Sequence, residues 1–142
     1  MTDPADLHRL TEEFYALRNA DGSVQDMLDR FAPDGCFQIL GPDRLGPFTQ
    51  RWEGLDALRV AATQLVGAWD LSGMANVGKY TDGDTIVTHR KGKVRFIPTG
   101  HEFETEFMDK FTYREGKIVD YVQFVDTLAI AEAAGLVRLA QE

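Results

Sequence analysis

Cysteine is nearly absent from this chain, with Cys36 the single one among 142 residues. No intramolecular disulfide can form, so a reducing compartment, the cytoplasm, is expected. No stretch approaches the roughly 18 apolar residues of a membrane span, and Met1, Thr2, Asp3 and Pro4 lack a basic patch leading into an apolar run. Neither insertion nor export is indicated. Basic side chains are also the minority, 15 against 23 acidic, for a formal charge of -8. That field repels nucleic-acid phosphates and anionic lipid heads, so no nucleic-acid or membrane partner is expected. Histidine is scarce, and His8, His89 and His101 share no metal-ligand spacing, while Gly41, Gly46 and Gly54 make no phosphate-cradling loop. No metal, nucleotide or other cofactor is therefore implied. Cys36 has no cationic neighbour in sequence to activate it and reads as a small core residue.

What the chain does have is 44% hydrophobic residues, enough for one sizeable core, and the reading is a single domain over 1–142. Thr2 or Asp3 can cap a helix with Pro4 in its first turn and Leu7, Leu10, Phe14 and Leu17 along one face. Asp21-Gly22 breaks it, and Ser23 caps a second short helix carrying Val24, Met27, Leu28 and Phe31, which Pro33 stops. A strand from Cys36 to Leu40, a loop from Gly41 to Gln50 and a third helix from Leu55 to Val66 follow. From Trp69 the pattern alternates in long runs broken at Asp82-Gly83, Pro98-Thr99-Gly100 and Glu115-Gly116, which predicts four strands in an antiparallel meander. A last helix is expected from Thr127 to Ala134, with Gly135 at its end.

Register decides what the meander brings together. Pairing Phe96 with Phe103 across the Pro98-containing turn aligns Arg95 with Glu104 and Lys93 with Glu106, favourable opposite-charge pairs. A one-residue shift loses that pattern. In this register Asp109 is the one acid in an otherwise aromatic row of Phe103, Phe107, Phe111 and Tyr113. Arg90 is expected opposite it on one side and Tyr121 on the other, with Gln123 next along. Two readings follow: a structural ion pair between Arg90 and Asp109, or a few polar groups converging in an apolar cavity to orient a small molecule or move protons.

Phe14-Tyr15-Ala16-Leu17, Phe31-Ala32-Pro33-Asp34-Gly35, Trp52-Glu53-Gly54-Leu55-Asp56-Ala57-Leu58, Met108-Asp109-Lys110-Phe111 and Gly116-Lys117-Ile118-Val119 together resemble the nuclear-transport-factor-2-like (NTF2-like) superfamily. Within it they are most similar to SnoaL-like, ketosteroid-isomerase-related and polyketide-cyclase-like domains. The resemblance implies an α+β cone, in which a strongly bent antiparallel sheet wraps a pocket under about three N-terminal helices, often paired as a homodimer. It places Tyr15 and Asp109 where ketosteroid isomerases carry the tyrosine and protonated aspartic acid of their oxyanion hole, a system known for a carboxylic acid kept neutral by apolar surroundings. The aspartate base of those isomerases falls here on Ile39. A guanidinium at Arg90 would favour the Asp109 carboxylate, making it a base.

The implied activity is that of a small-molecule enzyme, an isomerase, cyclase or dehydratase acting on an apolar substrate. A non-catalytic ligand-binding domain and an interaction or dimerisation module are the alternatives. Asp109, Tyr15 and Arg90 are the catalytic candidates, with Tyr121, Gln123, Phe107, Phe111, Ile39, Trp52 and Phe31 as pocket wall. Asp126, where related epoxide hydrolases hold a carboxylate, suits a helix N-cap better. His89 is expected on the face opposite Asp109. Ile118, Val122 and Phe124 form an apolar second face of the last strand, suited to core cover or a dimer contact.

Overall fold

A computed structural model describes residues 3–19 and 24–140. Helix α1 (Pro4–Asn19) begins where Asp3 Oδ1 accepts the Ala5 N–H at 2.7 Å, and it buries Leu7, Thr11, Phe14 and Tyr15. The three- and four-residue spacing therefore gives the buried stripe that the sequence pattern requires. The expected break at Asp21-Gly22 and cap at Ser23 lie outside the described residues. Helix α2 (Val24–Leu28) is short.

Phe31 belongs to strand β1 (Phe31–Ile39) and not to the second helix, and the strand starts five residues earlier than Cys36. Pro33 ends no helix here; it sits in a stretch where parallel pairing with the last strand is interrupted between Phe31 and Cys36, and such irregular or unpaired edges are where a residue without an N–H is tolerated. The segment 41–50 is not all loop either. It contains a 3-10 turn, Asp43–Phe48, and leads into a short strand β2 (Arg51–Glu53) that pairs with β1. Helix α3 (Leu55–Ala68) then buries Leu58 and Ala61.

Strands β3 (Trp69–Asp82), β4 (Thr85–Phe96), β5 (His101–Arg114) and β6 (Lys117–Phe124) form the expected meander, and α4 (Thr127–Ala133) follows. The six strands make one curved sheet in the order β2-β1-β6-β5-β4-β3, parallel only between β1 and β6. Two register shifts in β3 help bend it. Near one of them the backbones of β3 and β4 approach so closely that a Cβ on Gly73 would lie 2.6 Å from the Lys93 carbonyl, and one on Gly92 would run into the Gly73 carbonyl. Only glycine fits at this crossing.

The β4–β5 register differs by two residues from the expected one. Phe96 faces His101, so Arg95, Lys93 and Lys91 face Glu102, Glu104 and Glu106, which makes three opposite-charge pairs in place of two. Thr88, not Arg90, is opposite Asp109, and Arg90 is opposite Phe107. The β5–β6 turn is tighter than expected as well: Glu115 (φ 52) and Gly116 (φ 77) form it, setting Gln123 opposite Asp109 and Tyr121 opposite Phe111. Around Asp109 both slips are by two, so Asp109, Arg90, Tyr121 and Gln123 keep their expected faces. In β5–β6 one of the two residues is taken up between Thr112 and Tyr113, so nearer the turn the slip is by one and Ile118 lies in the inner core, wholly buried beside Tyr113, and not on the outer face with Val122 and Phe124.

The inner face of the sheet and the helices enclose two adjoining apolar clusters. One gathers Leu7, Phe14, Phe31, Phe37, Ile86 and Phe111 under α1, and the other gathers Trp69, Val94, Phe96 and Phe107 beside α4. Among the described residues no helix is long and apolar enough to cross a membrane.

Candidate functional site

A cavity of about 110 Å³ lies between the sheet's inner face, α1, α3 and α4. Its walls are mostly apolar and include Phe31, Ile39, Leu58, Trp69 and Phe107. Five polar side chains reach it: Arg18, Thr105, Tyr121, Gln123 and Asp126. Of the expected wall residues, Phe31, Ile39, Phe107, Tyr121 and Gln123 line it. Trp52 stacks on Phe37 at 5.5 Å, and Phe111 is fully buried against Tyr121 at 4.1 Å between ring centroids; neither of the two borders the cavity.

Asp109, Tyr15 and Arg90 are brought together immediately behind this wall, with Asp109 at 0% exposure and none of the three on the cavity surface. Asp109 Oδ2 accepts the Tyr15 hydroxyl at 2.7 Å and the Tyr121 hydroxyl at 3.3 Å. Gln123 Nε2 donates to the Tyr121 oxygen at 3.0 Å, so a short chain of hydrogen bonds leads from cavity wall to carboxyl. The Tyr15 and Thr88 hydroxyls are 2.5 Å apart. Asp109 Oδ1 is buried and has no hydrogen-bond partner among the described residues.

The expected ion pair between Arg90 and Asp109 does not form, because the two-residue slip moves the guanidinium along the strand. Arg90 stacks over the Tyr15 ring at 3.7 Å, a cation–π contact, and its Nη1 donates to Asn76 Oδ1 at 2.9 Å. Burial pushes the Asp109 pKa up to about 6, against the opposing pull of the Tyr15 hydrogen bond and the more distant Arg90 charge. The expectation that Arg90 fixes a low-pKa base is therefore corrected: desolvation outweighs the cation. Burial, with the Asp109 charge next, also raises the Tyr15 and Tyr121 hydroxyls, so both phenols stay protonated donors.

Arg18 was not among the residues expected at the site. It stands at the C-terminal turn of α1, where Nη2 donates to the carbonyls of Leu65 at 3.2 Å and Trp69 at 2.8 Å, capping α3. Burial lowers its pKa, offset by nearby Tyr121 and Asp70. Finding it required knowing that the ends of α1 and α3 meet, which is a tertiary fact.

Asp126 accepts the Ala129 N–H at 3.1 Å as the N-cap of α4, although it also borders the cavity. His89 lies on the outer face, 2.7 Å from Glu106. The Cys36 thiol donates to Asp120 at 3.0 Å, and burial followed by that contact pushes it up to about 11. Among the described residues there is no group of three or more His, Cys, Asp or Glu side chains placed to hold a metal ion.

Comparison with known proteins agrees with this architecture. A proposed isomerase from Bacillus subtilis superposes with a TM-score of 0.79 at 19% identity, over 99% of this chain and 100% of that one. A proposed SnoaL-like polyketide cyclase from Jannaschia sp. CCS1 gives 0.77 at 15% identity, covering 97% and 99%. TerC, co-crystallised with polyporic acid, gives 0.72 at 20% identity, covering 92% and 98%. At such identities the likeness is one of fold. A search of curated protein sequences finds no match. The family model of the SnoaL-like domain matches residues 11–121, and on that match, with the curved-sheet α+β architecture above, this chain belongs to the SnoaL-like family of the NTF2-like superfamily.

Proposed function

We propose that this chain is a small-molecule enzyme that moves a proton on an apolar substrate, as an isomerase, cyclase or lyase. The observation that carries the reading is a wholly buried carboxyl, Asp109, with a pKa raised to about 6 and one unpartnered oxygen, directly behind the wall of an apolar cavity. A general base tuned near the working pH transfers protons most effectively. In this reading Gln123, the cross-strand neighbour that lines the cavity where Asp109 does not, swings aside. Asp109 Oδ1 then takes a proton from a carbon next to a carbonyl, the electron pair moves onto the carbonyl oxygen, and the Tyr121 hydroxyl turns to meet the charge. Return of the proton to the same or a neighbouring carbon completes exchange or isomerisation. The superposed isomerase and cyclase support this class by name only.

Deuterium incorporation from D2O into β,γ-cyclohexenone and its conversion to the α,β isomer, followed by NMR, test the reading. Asp109→Asn should slow both by roughly 100-fold or more while remaining folded. Unchanged rates in a folded variant would refute it.

A second reading is a binding domain without turnover, favoured by the absence of any exposed Asp109 surface. It predicts that the ring compound binds and is neither exchanged nor isomerised. We also propose that the chain acts in the cytoplasm as a homodimer through the outer sheet face, where the cross-strand neighbours Met108 and Phe124 are 40% and 47% exposed. Phe124→Lys should then shift the sedimenting species to monomer.

A further inference from the structure

The cavity's polar lining is electrostatically lopsided. Arg18 is its one cation and Asp126 its one anion among the described lining residues, but the two are committed differently. The Asp126 carboxylate is engaged at the N-terminus of α4 and is exposed. Arg18 spends one nitrogen, Nη2, on two neutral carbonyls. It makes no ion pair among the described residues; Arg44, Arg59, Arg90, Arg95 and Arg138 make none either, but of these Arg18 alone borders the cavity. The carboxylate whose charge favours its ionised form is Asp70, and that group is held by the Ser72 N–H at 2.9 Å and hydroxyl at 2.7 Å. A half-buried guanidinium beside an apolar hollow, with no carboxylate partner, is free to receive an anionic oxygen.

Tyr121 borders the same cavity and is close enough for the Arg18 charge to favour its ionised form, so phenol and guanidinium converge on one region. An oxygen bound there meets the cation, and it meets the phenol as donor once the Tyr121 hydroxyl turns from Asp109. Cavity size sets the rest of the ligand, since an apolar cavity of about 150 Å³ is known to hold benzene, and about 110 Å³ accommodates no more than one ring or a short branched chain.

We infer that Arg18 is the specificity-determining residue of this pocket and selects compact apolar molecules bearing an acidic oxygen, a carboxylate or a readily formed enolate or phenolate. The inference rests on the cavity being a ligand site, as proposed above, and adds the class of ligand. The Arg18 side chain receives the oxygen, Tyr121 shares it, and the apolar wall from Phe31 to Phe107 takes the ring. Because Arg18 also caps α3, its role in binding is separable from its role in folding only by comparing ligands as well as variants.

Benzoate and benzyl alcohol, equal in ring and different in charge, are the probes, titrated at neutral pH by NMR with the Arg18 side-chain and the Leu65 and Trp69 amide signals followed. Benzoate is expected to bind roughly tenfold or more tighter than the alcohol, shifting those signals. Arg18→Met should erase the preference and Arg18→Lys should keep part of it; should the methionine variant not fold, the wild-type pair and the lysine variant decide. Equal affinities overturn the role of Arg18 and leave the cavity a ligand site. If neither probe binds, both the inference and the ligand-site reading fall.

Discussion

Tyr121 lines the cavity, and its hydroxyl donates to Oδ2 of Asp109 at 3.3 Å, which makes this phenol the link between an apolar hollow and a carboxyl with no exposed surface. The pair sits on adjacent strands without being directly opposed, since Gln123 is the residue across from Asp109. The aromatic side chain spans the diagonal, a reach open to long side chains in a sheet.

Asp109 should give the fold an inverted acid response. Its pKa is about 6 when folded against an ordinary 3.8, so the folded state holds the proton more tightly. The contribution is full below the ordinary value and is lost as pH rises through about 6, amounting to roughly 3 kcal/mol. Urea unfolding of wild type and Asp109→Asn at several values between pH 4 and 7 checks this. The stability difference between them should move against the wild type as pH rises, and a flat difference would contradict the buried-acid assignment.

Tyr15→Phe removes a hydroxyl that both Asp109 and Thr88 use, while leaving the ring under Arg90. A loss of about 1–3 kcal/mol is expected because two buried groups lose a partner. With one donor fewer, the Asp109 carboxylate is less favoured, so its titration should move to higher pH than in wild type. Equilibrium unfolding across the same pH range reads both effects.

Asp126 is expected to matter for stability through its cap. Asp126→Ala should cost about 0.5–2 kcal/mol, and Asp126→Asn should recover most of it, because an amide oxygen still accepts the Ala129 N–H. A thermal-melt series separates these outcomes; equal loss in both variants would point to the charge and not the cap.

Cys36 should be inert in the folded protein. With the thiol raised to about 11, roughly one molecule in a thousand carries a thiolate near pH 8. Ellman's reagent should label it slowly in the native state and rapidly in denaturant, and fast native labelling would show that the β2–β1 pairing opens.

The helices α1 and α3, the four-strand meander and the inward row containing Asp109 were legible because apolar spacing repeats over many residues. Short features were not. Strand β2 has three residues, too few for a period to register, and Phe31 sits on an apolar step that suits a helix end as well as a strand start. The exchange of expected partners at Asp109 came from the β4–β5 turn and from the β5–β6 turn together with the irregularity at Thr112/Tyr113: the resulting two-residue differences exchange neighbours there without turning the Asp109 row over.

Alternation along β5 determined, from the chain alone, that Asp109 shares a face with Phe107 and Phe111, since side chains two apart must point the same way. Only the tertiary structure decided that this carboxyl lies behind the cavity wall, that Arg90 turns to Tyr15 and Asn76, and that Arg18 reaches the hollow. Face is a local property of backbone pleat, whereas depth and partnership depend on how separate elements dock, and residues 18 and 69 become neighbours only when α1 and α3 are packed against the same sheet.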